Sequence, residues 1–202
     1  MTDDSLAEII AGLETLALGC GFTNTTKIDV ATINVRQEVR DACTEDKCQT
    51  YGKSWSCPPA CGSLAECEKE LRQFKAGLIL QSTGKLDDPF DYETISRTGE
   101  EHSARLLSFH KKLETFFTPA EAGQSSLAVN RNTGRSWLLL GSGCCKLCKQ
   151  CTYPQSPCLY PEKMIISMEA MGILVSEFCR ANNIPYYYGP NTLTFVGCLL
   201  IK

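Results

Sequence analysis

The chain has 202 residues, of which 43% are hydrophobic and 21% are charged, and its formal net charge is −3. This length and apolar content are enough for one globular core, so we expect a single domain over residues 1–202. The 20 lysines and arginines are scattered along the chain. They form no basic stripe that would neutralise phosphates, which argues against nucleic acid as a partner.

The cysteine content has to be interpreted together with the signals for export. The chain has 13 cysteines. Its N-terminus is acidic and lacks the basic and apolar regions of a secretion signal, and no apolar run approaches the ~20 residues of a spanning helix. We therefore expect a cytoplasmic protein with no membrane partner, in a compartment where disulfides are rare. Clustered thiols in that setting favour metal coordination over a disulfide framework.

The first half of the chain carries clear helix signals. Ser63 and Glu66 form a capping box, and an apolar stripe at helical spacing follows them. Ser5 and Glu8 form a similar box near the N-terminus. The predicted elements, in order, are a helix from Ser5 to about Gly19, one or two strands within 27–39, a helix from Ser63 through Phe74 and a buried strand over 78–80.

The second half alternates helix and strand signals, which is typical of an α/β fold. The predicted elements, in order, are a long helix over 92–117, a strand over 137–140, a helix that begins at Pro161 and carries Ile165, Met168, Met171, Val175 and Phe178, and a hairpin of 186–188 and 193–196 around Gly189-Pro-Asn191. The sequence therefore predicts an α/β sandwich of a small sheet and helices, with two cysteine-rich loops at strand ends.

The first cysteine segment, residues 43–67, can supply four metal ligands without the rest of the chain. Two prolines after Cys57 stiffen this loop. The helix that starts at Ser63 would point its positive end toward an anionic thiolate cluster. Cys67 competes with Cys61 for the last ligand position, although its place on the apolar helix stripe is better explained by a buried structural thiol. The candidate ligands are Cys43, Cys48, Cys57 and Cys61, with Cys67 as a further candidate.

The second cysteine segment, residues 144–158, has three thiols at two-residue intervals and a fourth seven residues later. Bacterial ferredoxins bind iron–sulfur clusters with such a run plus one more cysteine, and the last cysteine of a run can serve the other cluster. Exchange of Cys158 and Cys57 between the two segments therefore stays open. Zinc is the competing occupant, but structural zinc sites are usually built from two separated CxxC pairs. The candidate ligands are Cys145, Cys148, Cys151 and Cys158, with Cys144 as a substitute or a reactive extra thiol.

The other polar and aromatic candidates have structural explanations. His110 shares a helical face with Leu106 and is expected in the core, whereas His102 is expected at the surface. Trp55 lies two residues before Cys57. We expect it to shield a cluster from water, which tunes the reduction potential of the cluster.

Four stretches of the chain form a specific set of motifs. They are Tyr51-Gly-Lys-Ser-Trp-Ser-Cys57-Pro-Pro, Gly143-Cys-Cys-Lys-Leu-Cys-Lys-Gln-Cys151, Pro157-Cys158 and Ser167-Met-Glu-Ala170. Together they resemble a family of cysteine-rich predicted metal-binding proteins of anaerobic bacteria and archaea. The resemblance runs from about Cys43 to the C-terminus. It implies metal binding through these cysteines and leaves the reaction open.

Three functional hypotheses follow from the cysteines. The leading one is a protein that binds one or two [4Fe–4S] clusters and transfers electrons to a redox partner protein. The alternative is an enzyme in which one iron lacks a protein thiolate and binds a small-molecule substrate, with Tyr51, Lys53, Glu169 or a C-terminal tyrosine lining the pocket. The second alternative is a zinc-stabilised interaction module.

Overall fold

The chain forms a mixed α/β structure in the residues that the computed structural model describes, 3–117 and 136–202. The helices are α1 (Asp3–Leu18), α2 (Gln37–Ala42), α3 (Leu64–Leu71), α4 (Tyr92–Phe116) and α5 (Val175–Ala181), with short 3-10 helices at Val30–Thr32 and Cys43–Glu45. The strands are β1 (Asn24–Ile28), β2 (Ala76–Lys85), β3 (Trp137–Gly141), β4 (Ile166–Ser167) and β5 (Thr192–Ile201). Within the described ranges, no helix has both the length and the apolar character needed to cross a membrane.

The strands of the described residues form one sheet in the order β1-β2-β5-β3-β4. The two long strands, β2 and β5, pair antiparallel from Ala76 opposite Ile201 to Lys85 opposite Thr192. β1 pairs antiparallel with the other edge of β2, β3 pairs antiparallel with β5, and β4 runs parallel to β3. β5 therefore lies at the centre of the sheet, which explains why residues 196–201 are all buried.

The two faces of the sheet have separate cores because successive side chains of a strand point to opposite faces. Leu78 and Leu199 pack on one face against Leu13 of α1 and Phe109 of α4. The other face includes Ile79, Leu200, Met168, Met171, Phe178, Cys198, Cys179 and the α3 residues Cys67 and Leu71. Both cysteine segments lie on this second face, since Cys61 belongs to its core and Cys145 packs against it.

Several predicted elements are confirmed. The capping box of Ser63 and Glu66 forms in both directions and starts α3, and the long helix and the strand from Trp137 appear as α4 and β3. The predicted capping role of Ser5 lies outside the described side chains. The second cysteine segment follows β3 as predicted, whereas the first follows α2 rather than a strand.

The predicted helix from Pro161 is wrong over most of its length. Ile166–Ser167 forms β4 beside β3, and a helix begins only at Val175. The apolar residues of this stretch fit two periods, because Met164, Ile166 and Met168 alternate as in a strand and are all buried. Pairing with β3 decides between the periods, and Gly172, at φ +83°, turns the chain before α5.

The predicted hairpin around Gly189 is also wrong. The residues after the turn form β5, but 186–188 form no strand, and Tyr187 is 68% exposed. Residues 193–196 of β5 pair instead with β2, from Leu193 opposite Gly84 to Val196 opposite Gln81. Tyr188 instead donates a hydrogen bond from its hydroxyl to Gln81 Oε1 at 2.7 Å.

His102 is buried rather than exposed, contrary to the sequence prediction. It is 0% exposed, and its Nδ1 is hydrogen-bonded to Ser82 Oγ at 2.9 Å. The ring packs between Phe22 and Phe195, with centroid distances of 5.7 and 6.0 Å. Burial, with a smaller contribution from Arg105, lowers the pKa of His102 to about 3. The imidazole is therefore neutral in the folded protein.

This burial predicts a loss of stability in mild acid. The unfolded imidazole gains a proton below its ordinary pKa, whereas the folded one does not, so stability falls as the pH drops below that value. At pH 5.5 the expected loss from this residue is about 1.4 kcal/mol relative to neutral pH. Anaerobic urea unfolding at both pH values checks this against His102→Asn, which keeps a partner for Ser82. Equal pH dependence in the two proteins would contradict it.

Candidate metal centre

The second thiol group, which we define as Cys145, Cys148, Cys151 and Cys158, surrounds a cavity of about 300 Å³. The group follows β3 closely, because Gly143, at φ +69°, turns the chain after the strand. Burial is the main cause that raises the pKa of Cys145, and the charges of the three other thiols raise it further. The four thiols therefore lie within one electrostatic neighbourhood.

Cys151 receives hydrogen bonds that stabilise its thiolate. The backbone N–H of Trp55 donates to the Sγ atom at 3.4 Å. Burial raises the pKa of this thiol, but hydrogen bonds from the Tyr153 and Trp55 backbones and the Ser54 side chain lower it below its ordinary value. The thiolate is the form that binds metal, and hydrogen bonds to sulfur tune the potential of iron–sulfur clusters.

The first thiol group, which we define as Cys43, Cys48, Cys57 and Cys144, borders a larger cavity of about 680 Å³. Burial is the main cause that raises the pKa of Cys43. The charge of Arg40 lowers that pKa, and the charges of Cys57 and Cys48 raise it. Burial and the same two thiols raise the pKa of Cys144. Cys144 thus joins three cysteines that lie about a hundred residues earlier in the chain.

Two consecutive residues belong to different thiol groups. Cys144 borders both cavities, whereas Cys145 borders the second cavity but not the first. Consecutive Cα atoms are ~3.8 Å apart. The two groups are therefore joined by a single peptide bond.

Two buried serines link the cysteine segments. The Oγ atom of Ser56 accepts a hydrogen bond from the backbone N–H of Cys145 at 2.9 Å, and it lies 3.1 Å from Ser54 Oγ. Ser54 and Ser56 are 5% and 1% exposed. Sequence reasoning did not assign a role to either residue, although their position on both sides of Trp55 in the resembling motif was a signal.

Trp55 covers one side of the second thiol group. Its Nε1 donates to the carbonyl oxygen of Ser156 at 3.1 Å. Its ring packs edge-on against Tyr153, with a centroid distance of 4.9 Å. Trp55 also lines the second cavity, in the position that the predicted shielding role requires.

Cys61 is placed differently from the other predicted ligands. It does not border the first cavity, and it is 2% exposed. Its Sγ donates to the carbonyl oxygen of Ala170 at 3.7 Å and accepts from Arg40 Nη2 at 3.4 Å. Cys67, fully buried, donates to the Cys61 carbonyl oxygen at 3.7 Å. The ligand role of Cys61 stays a prediction, and Cys144 lies where a fourth thiol of the first group is expected.

The side chains predicted to line a pocket are divided between the two cavities. Tyr51 and Glu169 border the first cavity, and Lys53 borders the second. Burial raises the pKa of Glu169, against the lowering effect of hydrogen bonds from its own backbone and from Ser167. The first cavity therefore carries a carboxyl group that resists ionisation, beside the thiol of Cys43.

The donor set is compatible with an iron–sulfur cluster. At least four cysteines line each of the two cavities, which measure about 300 and 680 Å³. Cysteine thiolates are the ligands that hold iron–sulfur clusters. Cys145, Cys148, Cys151 and Cys158 would hold a cluster in the second cavity, and Cys43, Cys48, Cys57 and Cys144 would hold one in the first.

An α/β fold whose thiols gather around two adjoining cavities defines a cysteine-rich metal-binding protein. Residues 26–201 match the protein family described as predicted metal-binding protein (DUF2284). The chain therefore belongs to this family, and metal binding is what membership supports. No curated protein and no solved structure matches the chain.

Proposed function

We propose that the protein binds two [4Fe–4S] clusters, one at each thiol group, and transfers electrons in the cytoplasm. The observation that carries this proposal is that at least four cysteines line each of two cavities, with Cys144 at both cavities and Cys145 at the second only. Four cysteine ligands satisfy one cubane cluster. Two such groups that share a peptide bond place two redox centres side by side.

The surrounding residues support this role. A bound cluster supplies one-electron redox chemistry, and the protein contributes ligands, hydrogen bonds to sulfur and exclusion of water. Trp55, which packs against Tyr153, lines the second cavity, and its backbone N–H donates to Cys151. The net charge of −3 suits transient docking of a redox partner protein without strong electrostatic steering.

Electron paramagnetic resonance of the fully reduced protein tests the side-by-side arrangement. We expect the signals of two paramagnetic clusters to be broadened and split by magnetic interaction. A partly reduced sample, in which one cluster remains diamagnetic, is the control and is expected to give a simple signal. A fully reduced spectrum that is the plain sum of two independent signals would contradict close placement.

A second candidate function is a cluster-dependent enzyme, and the size of the first cavity favours it. The cavity of about 680 Å³ reaches beyond the thiols to Tyr51 and Glu169, which leaves space for a small-molecule substrate. This function needs an iron without a protein thiolate. Added cyanide would change the spectrum of one cluster if such an iron exists, and unchanged spectra would exclude it.

A further inference from the structure

Arg40 is a buried cation on α2. It is 8% exposed, and its Nη1 and Nη2 atoms lie 3.8 Å from Cys67 Sγ and 3.4 Å from Cys61 Sγ. Nη2 also donates to the carbonyl oxygen of Gly62. The Nε atom is buried and has no hydrogen-bond partner.

The charge of Arg40 has no carboxylate partner among the described residues. The ion pairs in this part of the chain join other side chains, including Arg36 with Glu177 at 2.6 Å. Removing a charge from water costs several kcal/mol, and only an opposite charge with good hydrogen bonds offsets that cost. A buried guanidinium without a counter-charge therefore needs an explanation.

The two thiols that touch Arg40 do not provide the missing negative charge. Each sulfur donates its proton to a backbone carbonyl, Cys61 to Ala170 and Cys67 to Cys61, which is the pattern of neutral thiols. The Arg40 guanidinium therefore donates to both sulfur atoms, but neither sulfur supplies a negative charge.

Two members of the first thiol group lie within one turn of this cation or of its contacts. Arg40 precedes Cys43 by three residues, which is one helical turn across the end of α2, and residues three apart on a helix are neighbours. Cys57 lies one turn before Cys61, since the N–H of Cys61 donates to the Cys57 carbonyl oxygen at 3.1 Å. A cluster bound by thiolates is anionic. It would therefore supply the counter-charge that the described side chains do not give to Arg40.

We propose that Arg40 is the buried counter-cation of the cluster at the first thiol group and raises its reduction potential. This inference rests on the proposed function. A fixed positive charge stabilises the reduced, more negative form of a cluster more than the oxidised form, and weak screening in the interior preserves the effect. The first cluster is affected more strongly than the second, because Cys43 lies one helical turn after Arg40 and Cys57 lies one turn before the Cys61 thiol that Arg40 contacts.

The test is a spectroscopic redox titration of both clusters in the iron-loaded protein and in Arg40→Met. We expect one potential to become clearly more negative and the other to shift less. Arg36→Met is the matched control: it removes the same charge from a nearby residue that borders the first cavity. The Arg36 side chain is 38% exposed, so solvent screens its charge and we expect a smaller shift. Arg40→Lys keeps the charge, so the reduction potential of the first cluster is expected to stay close to its wild-type value.

Equal potentials in Arg40→Met and the wild type, or equal shifts of both clusters, would overturn the proposal. If Arg40→Met does not fold, the neutral Arg40→Gln, which can still donate to Gly62, decides by the same readout. A chain that folds with Lys at this position but with neither neutral residue would assign Arg40 to folding and also overturn it. Absence of iron and sulfide in the wild type would instead refute the proposed function before any variant is compared.

Discussion

Replacing Cys144 with alanine is expected to lower the iron content from about eight to about four atoms per chain, because one cluster loses a ligand. Cys144 follows strand β3 by three residues and borders the first cavity together with Cys43, Cys48 and Cys57. Iron and acid-labile sulfide should fall together, and the remaining cluster should belong to the second thiol group. Elemental analysis of anaerobically purified Cys144→Ala measures both.

Cys61→Ala is the matched control for Cys144→Ala. The two substitutions remove the same atom, but Cys61 is hydrogen-bonded to Arg40 and Ala170 and does not border the first cavity. We expect Cys61→Ala to keep about eight irons. The reverse result, loss of iron in Cys61→Ala and full iron in Cys144→Ala, would restore the ligand set that spacing predicts and contradict the one proposed here.

The second large effect is expected at Gly172. Its φ is +83°, and a Cβ atom there would lie 2.5 Å from Leu64 Cδ1 and 2.9 Å from Val35 Cγ1. Its carbonyl oxygen also accepts the N–H of Arg36 at 2.8 Å. Gly172→Ala therefore combines backbone strain with overpacking against Val35 and against Leu64, the first residue of α3.

Gly189→Ala separates these two causes. Gly189 has φ +108°, but a Cβ atom there would have no neighbour within 4 Å. Both variants carry the backbone penalty, so Gly172→Ala is expected to lose more unfolding free energy than Gly189→Ala by about 1 to 3 kcal/mol, the usual cost of overpacking. Urea unfolding measures both. Equal losses would show that the neighbours of Gly172 move aside without cost.

Local chemistry made part of the fold predictable. The side chains of Ser63 and Glu66 satisfy free backbone groups of the first turn wherever the chain goes, and α3 begins as expected. The apolar run from Trp137 becomes β3 because it is buried on both faces. In contrast, Ile165 and Met168 fit a helical stripe, whereas Ile166 and Met168 fit a strand. Pairing of Ile166 with β3 selects the strand.

The sorting of the cysteines depends on long-range packing and was only partly predictable. Spacing grouped Cys145, Cys148, Cys151 and Cys158, and these four cysteines line one cavity. Spacing gave no reason to group Cys144 with Cys43 and Cys57. That grouping depends on how the end of β3 packs against the first cysteine segment in the folded chain. Nothing in the sequence indicated that Arg40 is buried, since an arginine in a short helix is ordinarily exposed.

The most direct test of the account is a count of iron, zinc and acid-labile sulfide in anaerobically prepared protein. Two [4Fe–4S] clusters predict about eight irons and about eight sulfides per chain, with little zinc. The same sample should be brown and should lose its colour in air. Colourless protein that contains stoichiometric zinc and no sulfide, and that unfolds when a chelator removes the zinc, would contradict the account and favour a zinc-stabilised module.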